Sequence, residues 1–315
     1  MKILVTGIAG FIGSHVTESL LARGYEVVGV DNLNDYYDPT LKEARLARLG
    51  NRITFYKTDI SDAPALEAVF AKEKPDLVCH LAAQAGVRYS LENPFAYGES
   101  NVMGTLHVLE FAHRYGVKHI SMASSSSVYG EGFPQPYAED LPADNPVSLY
   151  AATKRATELF AYSYNHIYQS SVSCLRFFTC YGPYGRPDMA LFMFTKNILE
   201  GKPIDVFNNG DMRRDFTYIS DIVDGIVASL EKPDGFQIYN LGHGEPVALM
   251  DFIHIIERET GKKAILNLLP MQLGDVPTTA ADIRKAQEKL GFKPKVGIDE
   301  GVKEFVAWYR AYHKA

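Results

Sequence analysis

Apolar and polar positions along the chain follow two alternating patterns. Short apolar runs predict buried strands, and the stretches between them have the apolar spacing of amphipathic helices. Strands are predicted at residues 2–6, 26–30, 53–57, 76–81, 118–123, 172–176 and 237–241, and helices at 63–71, 94–115 and 149–164. Strands that alternate with helices predict a parallel, doubly wound α/β sheet.

The first predicted strand leads into a glycine-rich turn. Gly7, Gly10 and Gly13 are spaced three residues apart, and an amphipathic helix follows to about residue 23. Glycine lets the backbone turn sharply and approach a pyrophosphate, which then binds at the N-terminus of the helix. Asp31 follows the second strand, where a carboxylate can accept hydrogen bonds from both ribose hydroxyls of an adenosine. The same carboxylate would repel a 2′-phosphate, so the pattern predicts NAD rather than NADP on a Rossmann-type sheet.

Further candidate residues follow the other strands. In a doubly wound sheet, ligands bind at the carboxyl ends of the strands. Asp59 follows the third strand, and the small residues from Ala82 to Gly86 follow the fourth, where they allow close approach to a cofactor. The candidate cofactor-binding residues at these strand ends are Gly7, Gly10, Phe11, Ile12, Gly13, Asp31, Asn32, Asp59, Ile60, Leu81, Ala82, Ala83 and Gln84.

A serine run and a Tyr-x-x-x-Lys pair carry the candidate chemistry. Residues 124–127 are four serines at the end of the fifth strand, and Tyr150 begins the predicted helix 149–164. Positions i and i+4 share a helix face, so Tyr150 and Lys154 should point into the same space. A lysine beside a phenol lowers the pKa of the phenol, which makes Tyr150 a candidate base for an alcohol proton. Tyr150 and Lys154 are therefore predicted catalytic residues.

The second half of the chain is less regular. Pro and Gly concentrate in residues 181–187, which predicts a loop, and helices are predicted at 190–199, 248–259 and 298–312. We expect residues 1–180 to form an NAD-binding Rossmann domain, with a contribution to the sheet from about residues 215–245. Residues 181–315 are expected to form a smaller C-terminal α/β domain that binds the substrate.

Composition narrows the class of protein. The net charge of −6 argues against a nucleic-acid partner. No apolar run reaches the length of a membrane span, and the N-terminus has the pattern of a buried strand rather than a signal peptide. The three cysteines lack the paired spacing of metal ligands, so no metal is expected. We therefore expect a soluble, cytoplasmic protein with no membrane partner.

The joint order of the motifs resembles the extended short-chain dehydrogenase/reductase family. The motifs are Thr6-Gly-x-x-Gly-x-x-Gly13, Asp31-Asn32, His80-Leu-Ala-Ala83, Asn101, Ser124-Ser-Ser-Ser-Val-Tyr-Gly130, Tyr150-x-x-x-Lys154 and Arg214-Asp-Phe-Thr-Tyr-x-x-Asp221. Within this family, residues 31–38, 84–90, 176–190 and 270–277 are similar to the UDP-glucuronate 4-epimerases. The resemblance covers essentially the whole chain.

The resemblance implies tightly held NAD and the interconversion of UDP-glucuronate and UDP-galacturonate through a transient 4-keto sugar. By the match, Tyr150 is the base, Lys154 orients it and holds the nicotinamide ribose, and Ser125 contacts the 4-hydroxyl. The resemblance thus makes Ser125 the third predicted catalytic residue and adds Asn101, Tyr150 and Lys154 to the candidate cofactor-binding residues. Thr179 and Arg186 would hold the substrate carboxylate. We hypothesise that this grip keeps the 4-keto intermediate from losing carbon dioxide. The candidate substrate-binding residues are Arg88, Ser126, Ser127, Thr179, Arg186, Arg214, Gln272 and Asp275.

Three other functions stay open at this point. A 4-epimerase of UDP-glucose or UDP-N-acetylglucosamine would not need Arg186 and Thr179. A lyase, such as a nucleotide-sugar dehydratase or UDP-glucuronate decarboxylase, would be expected to carry acids where this chain has Ser126 and Ser127. An NAD-binding sensor or scaffold would not need the intact Ser125, Tyr150 and Lys154 set. Apolar residues on helices 94–115 and 149–164 exceed what one core face needs, which favours a homodimer.

Overall fold

The computed structural model describes residues 1–272 and 274–314. Thirteen strands occur along this part of the chain. They are β1 (Lys2–Thr6), β2 (Glu26–Asp31), β3 (Thr54–Lys57), β4 (Leu77–His80), β5 (His119–Ser125), β6 (Val172–Phe177), β7 (Thr179–Tyr181), β8 (Pro203–Val206), β9 (Arg213–Arg214), β10 (Phe216–Tyr218), β11 (Phe236–Leu241), β12 (Val247–Ala248) and β13 (Ile265–Leu268).

Twelve α-helices connect or flank these strands in the described ranges. They are α1 (Phe11–Ala22), α2 (Thr40–Leu49), α3 (Ala63–Glu73), α4 (Tyr89–Glu92), α5 (Pro94–Tyr97), α6 (Gly104–Arg114), α7 (Leu149–Tyr168), α8 (Ala190–Glu200), α9 (Ile219–Glu231), α10 (Leu249–Thr260), α11 (Arg284–Leu290) and α12 (Ile298–His313).

Seven parallel strands form the central sheet, in the order β11-β6-β5-β4-β1-β2-β3. The order reverses beside β1, where a doubly wound sheet opens a crevice at its carboxyl edge. The predicted α/β fold is confirmed. The predicted strand at residues 237–241 joins the sheet as β11, at the edge beside β6.

Both faces of the sheet are buried, as a parallel sheet requires. Alternate residues of β1 point to opposite sides: Ile3 and Val5 belong to one apolar cluster, and Leu4 belongs to another. The first cluster continues without interruption into the C-terminal half, where it includes Phe305 and Tyr309 of α12. The central sheet and the C-terminal half therefore share one continuous core.

The C-terminal half contributes only short strand pairs outside the central sheet. Strand β7 pairs with β10, β9 with β12, and β8 with β13. These pairs place the loops after β7 and β8 over the carboxyl edge of the central sheet.

One predicted helix is divided in the structure. Residues 94–115 contain α5, a π-helical turn at Gly98–Met103 and α6, in unbroken succession. The wider π turn contains Asn101, which is fully buried. Helices α2, α9 and α11 were not predicted from the sequence.

Within residues 1–272 and 274–314, no helix has both the length and the apolar character needed to cross a bilayer.

Candidate active site

A cavity of about 760 Å³ lies at the carboxyl edge of the central sheet, between the sheet and the loops of the C-terminal half. All but two of the predicted site residues line it. These are Gly7, Gly10, Phe11, Ile12, Gly13, Asp31, Asn32, Asp59, Ile60, Leu81, Ala82, Ala83, Gln84, Arg88, Ser125, Ser126, Ser127, Tyr150, Lys154, Thr179, Arg186, Arg214 and Asp275. The volume is within the range of small-molecule sites.

The glycine turn fits a pyrophosphate. A Cβ atom at Gly13 would lie 2.1 Å from the Gly7 carbonyl oxygen, so only glycine lets α1 approach the turn this closely. Gly10 precedes α1 and provides no side-chain cap for the first amides of the helix. Free amide donors at a helix N-terminus, combined with the helix dipole, attract an anion.

Asp31 ends β2 inside the same cavity. Its carboxylate accepts hydrogen bonds from the backbone N–H groups of Ala9 (3.0 Å) and Leu33 (2.9 Å). Burial raises the pKa of Asp31, against the effect of these donors and of the nearby Lys42. A carboxylate has about four lone-pair sites, so it retains acceptor capacity for ribose hydroxyls. The donor set and the glycine turn together fit the predicted dinucleotide.

Tyr150 and Lys154 lie one turn apart on α7. The Ser148 side chain caps the helix by accepting from the backbone N–H of Ala151 at 3.1 Å. This cap fixes the start of the helix, so Tyr150 lies in its first turn, at the cavity wall. The Lys154 ammonium donates to the Ala123 carbonyl oxygen at 2.9 Å. Burial lowers the pKa of Lys154 to about 8.

Arg186 lowers the pKa of the Tyr150 phenol, an effect that was not predicted for this residue. Burial raises the pKa of Tyr150 overall. Arg186 and, to a smaller extent, a hydrogen bond with Ser125 act in the opposite direction. The expected effect of Lys154 on the phenol stays a prediction; its ammonium donates to the Ala123 carbonyl oxygen at the end of β5. Tertiary packing places Arg186, from the 181–187 loop, in the same cavity as the phenol.

A buried ion pair, Arg176 with Glu158, holds the serine run in place through Ser124. Ser124 donates to Glu158 at 2.5 Å, and Arg176 donates to both carboxylate oxygens of Glu158 at 2.9 and 2.8 Å. Burial works to raise the pKa of Glu158, but Arg176 outweighs it and the pKa is lowered. Above the pair, Ser125 accepts from the N–H and the hydroxyl of Ser127 at 3.2 and 2.9 Å. Helix α7 is thus locked to the strand end that presents Ser125.

Arg186 and Thr179 belong to the part of the cavity lining that comes from the chain after β6. Arg186 donates through Nε and Nη2 to the two carboxylate oxygens of Asp188, and Tyr36 donates to the same carboxylate at 3.1 Å. The main chain of Thr179 is fixed by a hydrogen bond from its N–H to the Asp215 carbonyl oxygen at 3.0 Å. The loop after β7 therefore places a guanidinium and a hydroxyl in the cavity that holds Tyr150.

The outer part of the cavity contains the other predicted cations. The guanidinium of Arg88 lies over the Phe207 ring, 4.7 Å from its centroid. Arg214 donates to the Pro277 carbonyl oxygen at 3.0 Å, and burial lowers its pKa against the effect of Asp275. An aromatic ring with two guanidinium groups nearby suits the heterocyclic base and the diphosphate of a nucleotide.

Two predicted residues are outside the cavity lining. Asn101 is fully buried, and its amide bonds both backbone groups of Gln84 and the Thr153 hydroxyl, at 2.8 to 3.0 Å. It holds the loop after β4 against α7 and does not face the cavity. Gln272 is also absent from the lining, and its Oε1 is buried with no hydrogen-bond partner among the described residues.

Sequence reasoning missed several residues of the site. Tyr36, Lys42, Asp188 and Phe207 line the cavity but were not singled out. Tyr36 and Asp188 are inside stretches whose resemblance was recognised, so a residue-by-residue comparison of 31–38 and 176–190 could have found them. Arg45, on α2, gave no signal in the sequence.

The fold and the site define a nucleotide-dependent enzyme of the Rossmann class. The model of the "NAD dependent epimerase/dehydratase family" matches residues 3–242. The chain belongs to this family. The resemblance seen in the sequence is confirmed, and NAD, the predicted cofactor, is the one in the family's description.

Relatives and solved structures give a narrower comparison. The chain is 50% identical over 308 residues to a UDP-glucuronate 4-epimerase of Thermodesulfobacterium geofontis, covering 97% of this chain and 95% of the relative. It is similar to the crystal structure of the UDP-glucuronic acid 4-epimerase of Bacillus cereus in complex with UDP-glucuronic acid and NAD, with a TM-score of 0.93, 37% identity and coverage of 99% and 100%.

A UDP-glucose 4-epimerase of Thermotoga maritima, solved with UDP-glucose, is similar almost to the same degree. Its TM-score is 0.92, at 33% identity and coverage of 99% and 100%. Backbone similarity alone therefore does not choose between an acidic and a neutral hexose.

Proposed function

We propose that this chain is an NAD-dependent 4-epimerase that interconverts UDP-glucuronate and UDP-galacturonate. The observation that carries the proposal is the presence of Arg186 and Thr179 in one cavity with Ser125, Tyr150 and Lys154. A guanidinium suits bidentate recognition of a carboxylate, which a neutral hexose lacks. The 50% identity to a named UDP-glucuronate 4-epimerase supports the same substrate.

We propose a role for each part of the cavity. The glycine turn, Asp31, Asp59 and the loop after β4 hold NAD, with Asn101 supporting that loop from behind. Arg88, Arg214 and Asp275 hold the uridine diphosphate, and Ser126 and Ser127 lie beside the hexose. Residues 1–180, together with about 215–245, form the cofactor side, and residues 181–315 provide the nucleotide-sugar side.

The proposed reaction begins with a proton transfer. The Tyr150 phenolate takes the proton of the C4 hydroxyl, which Ser125 positions by hydrogen bonding. NAD held by the glycine turn and Asp31 would supply the acceptor for the C4 hydride and then its donor, so no net oxidation would occur. The resulting 4-keto hexose turns over in the cavity, so the hydride would return to the opposite face of C4, and Tyr150 gives the proton back to the C4 oxygen. The product therefore differs from the substrate only in the configuration at C4.

The 4-keto intermediate carries a carboxylate that is β to the ketone and can lose carbon dioxide. Arg186 and Thr179 would hold this carboxylate away from the geometry in which its bond is perpendicular to the ketone plane. Ser126 and Ser127 lack a side chain that titrates near neutral pH. This is the feature against a decarboxylase or a dehydratase, which need further proton transfers.

The test is turnover of UDP-glucuronate by the purified chain, without added cofactor and then with NAD, followed by NMR. UDP-galacturonate should appear without carbon dioxide or UDP-xylose. Turnover of UDP-glucose but not of UDP-glucuronate would overturn the proposal in favour of the neutral-hexose enzyme. Arg186→Ala tests the carboxylate grip: it should release UDP-pentose, and unharmed epimerisation without UDP-pentose would contradict that grip.

We also propose that the chain forms a homodimer through α5, α6 and α7. Phe95 on α5 is 79% exposed. On α7, Leu159 is 50% exposed and Ile167 is 64% exposed. Apolar exposure of this kind is typical of an association surface. Sedimentation should give the mass of two chains, and Leu159→Asp with Phe95→Asp should give one.

A further inference from the structure

The Arg186 guanidinium already has a carboxylate partner in its own loop. Its Nε donates to Asp188 Oδ1 at 3.0 Å, and its Nη2 donates to Oδ2. The side chains of Arg186 and Asp188 are 22% and 31% exposed, and both line the cavity. Nη1 takes no part in either bond. A substrate carboxylate would therefore meet a cation whose charge is shared with Asp188.

A hydrogen bond from Tyr36 partly neutralises the negative charge of Asp188. The Tyr36 hydroxyl donates to Asp188 Oδ2 at 3.1 Å, so one oxygen accepts from both Tyr36 and Arg186. Burial and the Asp188 carboxylate raise the pKa of Tyr36 to about 12, so the phenol stays protonated and remains a donor. Although burial opposes it, Arg186 lowers the pKa of Asp188, so the carboxylate stays ionised.

The main chain that carries Arg186 is fixed separately. Arg45 on α2 is fully buried and donates through Nε and Nη2 to the Tyr184 carbonyl oxygen at 3.1 and 2.7 Å. Its Nη1 donates to the Ala9 carbonyl oxygen of the glycine turn at 3.1 Å. These bonds hold the main chain of the loop in place. The strength with which Arg186 binds a carboxylate therefore depends on the partners of its side chain.

The proposed reaction places two opposing demands on this grip. The carboxylate must be held long enough to prevent loss of carbon dioxide, and it must be released when the hexose turns over. A free buried guanidinium would bind a carboxylate strongly, through charge-assisted bonds in a water-poor cavity. A guanidinium that keeps a permanent partner binds a second carboxylate less tightly, because the two anions repel each other and share the same donors.

We propose that Asp188 limits how tightly Arg186 holds the C6 carboxylate of the substrate, and that Tyr36 sets the strength of this limit. The proposal rests on the proposed function and makes both residues positioning residues. Asp188 weakens the hold on the uronate. Tyr36 draws charge from Asp188 and so restores part of the hold. The hexose can then leave Arg186 and turn over without leaving the enzyme.

The two residues are predicted to act in opposite directions, which a purely structural role would not produce. The full chain carrying Tyr150→Phe, which slows turnover, is saturated with NAD and titrated with UDP-glucuronate and with UDP-glucose by calorimetry. Adding Asp188→Asn should lower the Kd for UDP-glucuronate about tenfold. Adding Tyr36→Phe should raise it about threefold. The Kd for UDP-glucose should change less than about twofold in both.

Tyr25→Phe is the matched control, because Tyr25 also donates to a carboxylate, Glu231 at 3.2 Å, but lies outside the cavity lining. With Tyr150 intact, Asp188→Asn should lower kcat and KM together, since a uronate held too tightly turns over slowly. Weaker UDP-glucuronate binding by Asp188→Asn, or equal shifts for both sugars, would overturn the inference.

The chain that carries Tyr150→Phe alone, called the parent, separates this inference from the proposed function through its own Kd values for the two sugars. A Tyr150→Phe parent that binds UDP-glucose as tightly as UDP-glucuronate contradicts the proposed function and the inference with it. A parent that prefers UDP-glucuronate, combined with variants that both weaken it or both leave it unchanged, contradicts the inference alone.

Discussion

The two walls of the cavity are built by different means. On the cofactor side, parallel strands end together and the glycine turn is held by backbone packing so close that a side-chain atom at Gly13 would overlap Gly7. On the substrate side, the loop after β7 is held by side chains, through Arg45, Asp188 and Tyr36. Backbone packing tolerates almost no change, whereas a side-chain network can be retuned residue by residue. The comparison implies that the cofactor is set by the fold and the sugar by substitutions in one loop.

Gly13→Ala should give the largest effect, because it attacks the backbone packing of the cofactor side. The new Cβ would lie 2.1 Å from Gly7 O, which no side-chain rotation can relieve. We expect loss of NAD binding in a titration of the purified variant, and loss of activity with it. Gly297→Ala is the control, since its φ is −69° and nothing lies within 4 Å of the added atom. Normal NAD binding by Gly13→Ala would refute the backbone argument.

Tyr150→Phe removes the proposed base, which lies where the two walls meet. Epimerisation should slow by about 10²- to 10⁴-fold, the usual contribution of a positioned acid–base group. NAD binding should be retained, because the glycine turn is untouched. Tyr162→Phe, on the exposed face of the same helix, should keep full activity. If Tyr150→Phe turns over at the wild-type rate, the base is a different group.

Glu158→Gln tests the ion pair that locks α7 to the sheet. Leaving Arg176 buried without its charged partner should lower the free energy of unfolding by about 3–5 kcal/mol, measured by urea unfolding. The lowered pKa of Glu158 means that its stabilisation is present above the pKa of the unfolded chain. That stabilisation is lost as the pH falls through the folded-state pKa. Glu200→Gln, in the exposed pair with Lys202, should change stability little.

Arg186→Met tests the influence of the substrate side on Tyr150. The expected shift in the pH profile is the smallest of the four effects. The guanidinium lowers the pKa of Tyr150, so its removal should raise that pKa. The phenolate would then form at higher pH, and the ascending limb of kcat/KM should move to higher pH. Arg213→Met, whose guanidinium lies outside the lining, should leave the profile in place. An unchanged limb in Arg186→Met would contradict the assignment of this cation.

Much of the cofactor side could be predicted because it depends on local pattern. The period of apolar residues predicts strands and helices, and glycines at fixed spacing predict a close backbone approach. The carboxyl ends of parallel strands must then meet at one edge. For this reason the strand pattern alone is enough to bring Asp31, Asp59, Ala82 and the serine run together. Boundaries were less accurate where the helix type changes, as at the π turn that buries Asn101.

The sequence by itself determined the fold class, the dinucleotide turn and the Tyr150–Lys154 pair, because each follows from backbone geometry over a few residues. Only the tertiary structure decided that Arg186 shares a cavity with Tyr150 and that Asp188 is the carboxylate partner of Arg186. Arg45 shows the reason: arginine is mostly exposed in proteins, yet packing buries this side chain completely, and it donates to two distant carbonyl groups. Contacts between residues far apart in the chain depend on how whole elements pack, and no local spacing encodes that packing.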